Sequence, residues 1–237
     1  MKPKRVNHYL LAALLMAVMF LWLPPTLTAQ QGEENNWVYP PDSIVFGMTY
    51  GDWMAAQWQY LYSLPTTTNP IFGADCTNGQ SSGLVFFLTG SASPGPVIRT
   101  CTVPASKALW VPIILNECST VEAPPYHGDN PQELRVCASL GIDGVDLNSL
   151  KLRVDGKKIR NLPSYRVQSP FYDFIMPATD NIWGINGVTS GSSVADGYSV
   201  ILKPLPPGHH VIYLEFAVVS GPGAGFSGSV TYYLTVQ

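Results

Sequence analysis

Beyond Pro65 the chain is a succession of short β-prone runs cut by glycine, proline and serine, a punctuation that leaves little room for long solvated helices. The runs are Gly83–Leu88, Val97–Val103, Ala108–Leu115, Leu150–Val154, Lys158–Leu162, Tyr165–Val167, Phe171–Ile175, Tyr198–Leu202, Val211–Val218 and Ser229–Val236. Asp155-Gly156 is a two-residue hairpin signal, because a tight turn here needs positive φ at both positions. Pro206-Pro207-Gly208 turns the chain into two late strands of strong alternation. With 21 glycines, 21 prolines and 12% charged residues, the composition agrees. The pattern predicts a mostly β domain, a single β-sandwich of jelly-roll or immunoglobulin-like kind, with a β-barrel as the alternative.

One helix stands out. Thr49 and Asp52 have the spacing of a capping box, and Met54, Trp58 and Leu61 form an apolar stripe beside Trp53, Tyr60 and Leu64, until Pro65 stops the run. It is expected to pack on the sandwich as an amphipathic N-terminal helix. A loop from Asn116 to Pro131 follows the third strand, and Gln132–Leu140 is a shorter helical stretch closed by Gly141. Four cysteines favour two disulfides. Cys76 with Cys101 and Cys118 with Cys137 is the preferred pairing, since each pair brackets a Gly/Pro-rich excursion, and each closed loop contributes about 3 kcal/mol in the chain-entropy model.

The N-terminus has the layout of a secretory signal peptide: Lys2, Lys4 and Arg5, an apolar run from Tyr9 to Leu23, then Pro24-Pro25 and a small-residue exit at Thr28-Ala29. At about fifteen residues the run is short of the roughly 20 a spanning helix needs, which favours cleavage over a retained anchor. The expected organisation is a signal peptide over 1–29, a polar leader over 30–45 and one β-rich domain over 46–237. Removing residues 1–29 leaves 10 basic against 16 acidic residues, a net charge of −6. Such a domain has no footing for nucleic acid or for an anionic membrane surface. There is no C-x-x-C, and three histidines remain, so Cys-ligated zinc is disfavoured.

Several phrases carry a resemblance: Tyr50-Gly-Asp-Trp-Met-Ala-Ala-Gln-Trp58 leading to Ser63-Leu-Pro65 and Asn69-Pro70, then Cys101-Thr-Val-Pro-Ala-Ser-Lys-Ala-Leu-Trp110, Asp196-Gly-Tyr198, Leu205-Pro-Pro-Gly-His209 and the closing Val230-Thr-Tyr-Tyr-Leu-Thr-Val236. Together they resemble a functionally uncharacterised group of secreted microbial proteins, over most of the exported chain. The resemblance implies a secreted, disulfide-containing domain and supplies no activity or catalytic residue.

Candidate chemistry is sparse. No G-x-S-x-G elbow is present, and Gly191-Ser192-Ser193 reads as a flexible loop, which disfavours a serine hydrolase. His209 and His210 are neighbours on a strand and point to opposite faces. Tyr126-His127-Gly128-Asp129 lies on a loop stiffened by Pro124-Pro125, where an imidazole and a carboxylate could be held in fixed geometry near Glu117, Glu122 and Glu133. Asp173 and Asp196, flanked by aromatics, would do glycosidic acid and base work if they converged; turn capping is the plainer role. Trp53, Trp58, Tyr60 and Tyr62 surround the helix, so a ring off its buried face would suit sugar stacking or protein contact. Trp183 sits in a loop and is a further binding candidate, whereas Trp110 reads as core. Asp143, Asp146 and Asn148 crowd oxygen side chains near a glycine without a full calcium-loop spacing, a candidate structural calcium site; no other cofactor is expected. The leading expectation is a secreted non-catalytic protein that binds an extracellular glycan or surface protein through Trp183, Tyr126, Trp53, Trp58 and Tyr62. The alternatives are an extracellular polysaccharide hydrolase or lyase using carboxylates or Tyr126 and His127, and a structural envelope or matrix component.

Overall fold

The computed structural model describes residues 36–237; the signal peptide over 1–29 and the first part of the leader, 30–35, lie outside the described residues. Among the described residues ten strands form: β1 Val85–Phe87, β2 Gly95–Val103, β3 Ala108–Ser119, β4 Lys151–Val154, β5 Lys157–Lys158, β6 Arg166–Gln168, β7 Tyr172–Ile175, β8 Ser190–Leu202, β9 Gly208–Ala217 and β10 Ser227–Val236. They build two five-stranded sheets. Sheet 1 has the order β1-β3-β8-β6, with β7 also paired to β8, and sheet 2 the order β2-β10-β9-β4-β5. Each sheet is mixed, through the parallel pairs β1 with β3 and β2 with β10. Both sheets stay open, so the barrel alternative is not adopted. The turn at Asp155-Gly156 has φ of 50° and 77° and joins Val154 to its partner Lys157, as the dipeptide predicts. Both disulfides form in the expected pairing, Cys76 to Cys101 and Cys118 to Cys137.

Helix α1 (Tyr50–Ser63) starts on the predicted box: Asp52 N–H donates to Thr49 Oγ1 at 3.1 Å while Thr49 N–H donates to Asp52 Oδ2 at 2.9 Å. It is not the one helix of consequence. Helix α2 (Pro131–Asp143) is nearly as long, capped by Asn130, whose Oδ1 accepts from the Gln132 and Glu133 amides. It runs past Gly141 because this glycine is a contact point and not a stop. A Cβ there would lie 2.3 Å from the Asn116 side chain, so only glycine lets α2 close on β3.

Two further stretches depart from expectation. The supposed loop at Gly191-Ser192-Ser193 is the first part of the 13-residue β8, where Ser190–Ser193 pair with β7. Likewise β3 continues through Asn116–Ser119, which the sequence assigns to a loop. In both cases polar side chains stay in the ladder because they find partners inside the protein. Residues 36–45, expected as a leader, are stitched to the far end of β8: Val38 bridges Leu202, Tyr39 N–H donates to Ile201 O at 2.9 Å, and the buried Val45 accepts from Trp53 Nε1 through its carbonyl.

Alternation along β3 and β8 assigns the faces of sheet 1. Glu117, Ser119 and Ser193 face the α1 side, where Tyr62 and Tyr172 lie. Cys118 and Val194 face the other way, against Leu134 and Ala138 of α2. A bulge between Pro112 and Ile114 shifts the parity, so Trp110, which donates from Nε1 to Gln57 of α1, shares the α1 face with Glu117. Opposite the bulge, Gly197 has φ 153° and no room for a Cβ, which would lie 2.2 Å from Ile114 O. Leu109, Val111, Val200 and Leu202 turn to the second face and join Leu152, Ile212, Leu214 and Tyr232 of sheet 2 in the main core. Sheet 1 is therefore covered on both faces, and β3 and β8 are buried almost throughout.

Candidate functional site

The loop between β3 and α2, tied down by Cys118–Cys137, holds Tyr126 at 42% exposure, and its backbone pairs with Ser119. His127 is fixed but spent: Nδ1 lies 2.9 Å from Glu122 O and Nε2 3.0 Å from Asp129 Oδ1. Both ring nitrogens face acceptors of the same loop, which leaves none to act as a base on a substrate. Glu133 belongs to the α2 cap, accepting from the Asp129 amide and from Asn130 Nδ2.

The remaining carboxylates named from sequence are also engaged. Asp173 accepts from Ser192 Oγ at 2.6 Å, whereas Asp196 is buried and accepts from Arg166, Gln168 and Ser139. Asp173 pairs with Ser192, four positions from Asp196 on β8, a separation of roughly 13 Å along the strand. Glycosidic pairs stand about 5–9.5 Å apart, so these two do not form one. Asp143 pairs with Arg166 at 2.7 Å, while Asp146 Oδ1 accepts from the Asn148 amide in its own turn. Asp143 is thus turned to Arg166, away from the local turn that joins Asp146 and Asn148. Among the described residues, no three His, Cys, Asp or Glu side chains converge as a metal cage would require.

The binding aromatics divide. Trp53 and Tyr62 are buried core residues, so neither offers a face to a ligand at the surface. Trp58 and Trp183 are half-buried and close around Tyr62, each with its ring centroid 5.8 Å from the Tyr62 ring. Only Tyr126 is exposed.

A site not foreseen lies beneath this aromatic cluster. Glu117, 5% exposed, accepts from Ser193 Oγ, which also lies 2.9 Å from Tyr172 Oη. The half-buried Glu122 accepts from Ser119 Oγ at 3.0 Å. Burial pushes both carboxyls above the ordinary carboxylate range, and the charge of Glu117 pushes Glu122 further. Both shifts favour the protonated form, and two like charges this close oppose ionising together. Tyr62 Oη, Glu117 Oε2, Trp58 Nε1 and Trp183 Nε1 are buried here without a well-aligned hydrogen bond. The sequence signal was faint: a glutamate at the end of the apolar run Val111–Leu115, one residue before a disulfide cysteine.

The third feature is a cleft beside β3. A narrow cavity of about 100 Å³ between α1, β3 and sheet 2 is lined by Trp58, Leu61, Phe216 and Val230 among others. A wider groove of about 430 Å³ continues past Tyr126, Leu140 and Pro222. The two share Ile114, Leu115 and Phe226, and no Asp, Glu, Lys, Arg or His lines either one.

No protein-family model and no curated protein matches the chain. Two solved structures are similar to parts of it: PbICP-C in complex with falcipain-2, at 13% identity over 65% of this chain and all of that one with a TM-score of 0.24, and the cysteine protease inhibitor EhICP2 from Entamoeba histolytica, at 14% identity over 61% of this chain and all of that one with a TM-score of 0.21. At such low superposition scores neither carries an argument about this chain.

Proposed function

We propose that this chain is a secreted, non-catalytic binding protein that engages a protein partner through the cleft beside β3, with Tyr126 at its rim. One observation carries the reading: the cleft is mostly apolar and carries no charged residue, and it opens at an exposed aromatic. The acid, base and nucleophile candidates support it from the other side, since each is tied into a turn, a cap or a buried network. A protein partner is favoured over a glycan because none of the five tryptophans among the described residues is exposed as a stacking platform. The two disulfides fit an oxidising compartment, and no helix among the described residues is long and apolar enough to cross a membrane. We read the open sheets as a sandwich of jelly-roll or immunoglobulin-like kind with α1 on its outer face.

The test uses Leu140, 48% exposed on the groove wall. The immobilised wild type is expected to retain a stoichiometric protein from the extracellular fluid of its source, and Leu140→Asp to lose it. A panel of insoluble polysaccharides is expected to deplete neither form. Equal retention by both forms, or depletion by a polysaccharide, would overturn the reading.

A further inference from the structure

The cleft runs along a strand edge, and this decides what fits it. On the side away from β8, β3 has β1 beside it only as far as Trp110, whose carbonyl accepts from Leu88 N–H. The next backbone partner on that edge is the Tyr126–Gly128 stretch, which bonds to Ser119. Between these points, from Val111 to Cys118, no backbone partner is present on this edge among the described residues. The gap spans eight positions, roughly 26 Å of strand. Five consecutive residues, Pro112 to Asn116, line the cavity or the groove. A strand seen face-on shows every second residue, so a consecutive set means that the cleft looks onto the edge and its backbone groups. Pro112 fits such a place, since it has no N–H to leave unpaired and sits at the bulge.

We infer, building on the protein-binding reading above, that the partner supplies an extended, uncharged, apolar segment that adds to β3 as a new edge strand. Backbone hydrogen bonds to β3 give the affinity, and the pockets on either side receive alternate side chains. Uncharged walls select an uncharged segment, because a buried charge would find no partner there. The edge is recessed between the Gly90–Gly95 segment, α2 and the Pro222–Phe226 turn. Such a recess favours a single extended chain over the flank of a second sheet.

The experiment selects displayed random heptapeptides on the full secreted protein and resynthesises the enriched sequences in two N-methylated forms, each blocking one alternate set of amides. Strand addition requires enrichment of uncharged peptides with alternating apolar residues. It also requires that one methylated set binds at least about tenfold more weakly while the other stays within about threefold, since one edge of the peptide faces β3. Gly90→Leu fills the cavity at a position where a Cβ meets open space; it is expected to weaken binding by about tenfold while leaving the melting temperature unchanged. Absence of enrichment, or binding indifferent to both methylated sets, overturns strand addition. Indifference to methylation together with sensitivity to Leu140→Asp would leave the protein-binding cleft standing and remove only the added strand.

Discussion

Sheet 1 carries its long strands between α1 on one face and α2 with sheet 2 on the other, whereas sheet 2 turns one face to solvent. In β3 and β8 burial is nearly unbroken; in β2, β9 and β10 it alternates over much of each strand. The difference shows in what polar residues are for. On sheet 2, Lys151, Tyr213 and Glu215 meet at the surface, where water would serve them as well. Inside sheet 1, Glu117, Ser193 and Tyr172, and on the opposite face Asp196 with Arg166 and Gln168, must satisfy one another. A sheet covered twice ties most of its polar side chains to partners inside the protein, although Glu117 Oε2 and Ser199 Oγ stay unpaired.

The contrast breaks or holds first at glycine. Gly197→Ala in β8 forces a Cβ onto the Ile114 carbonyl at a φ that L-residues avoid, and we expect a loss of about 3–5 kcal/mol in urea unfolding. Gly228→Ala in β10 meets only the edge of the Phe216 ring, 3.1 Å away, and should cost about 1 kcal/mol. Equal losses would remove the distinction between the sheets. The disulfides sharpen it next. Chain entropy assigns about 3 kcal/mol to each loop, with sequence separations of 19 and 25. Cys118 is fully buried under α2, so replacing Cys118 and Cys137 by serine should lower the calorimetric melting temperature more than the same change at Cys76 and Cys101. A larger drop at Cys76 and Cys101 would mean that loop length alone decides.

Acidity probes the buried pair. Both carboxyls titrate higher in the folded protein than in the unfolded chain, where 4.5 is ordinary. Their contribution is therefore complete below about pH 4.5 and is lost as pH rises through the folded range. The melting temperature should fall from pH 5 to pH 8, and Glu122→Gln should flatten that slope. An unchanged slope in Glu122→Gln would place the proton elsewhere. The smallest effect belongs to sheet 2, where Lys151→Ala, which breaks the 2.9 Å pair with Glu215, should change stability by less than about 0.5 kcal/mol and lose even that in high salt.

The same contrast governs what could be read from the chain. Strands β9 and β10 and the Asp155-Gly156 hairpin were legible because one face meets water and the pattern alternates. The capping box gave α1, and the Gly/Pro-rich excursions gave the cysteine pairing. The inner strands were legible only in part: Ala108–Leu115 and Tyr198–Leu202 were found, while Asn116–Ser119 and Gly191–Ser193 read as loop because their polar side chains take partners far away in sequence. Trp53 and Tyr62 were read as contact residues because helical spacing cannot say that a loop and a second strand close over them. The Glu117 and Glu122 pair stayed hidden for a related reason, since the burial that raises both carboxyls comes from elements far away in sequence. The free edge of β3 had one written sign, Pro112, and a proline in an apolar run does not say which neighbour is missing.

The stitch of Val38 to Leu202 fixes the pole at which the chain enters the folded body. The Tyr126 loop bonds to Ser119, which pairs with Ser193 near the other end of β8. Nine strand positions, roughly 30 Å, separate the two poles. A tether or fluorophore placed at Asn36 would therefore leave the Tyr126 pole free, so that surface immobilisation through that end keeps this loop open to solution.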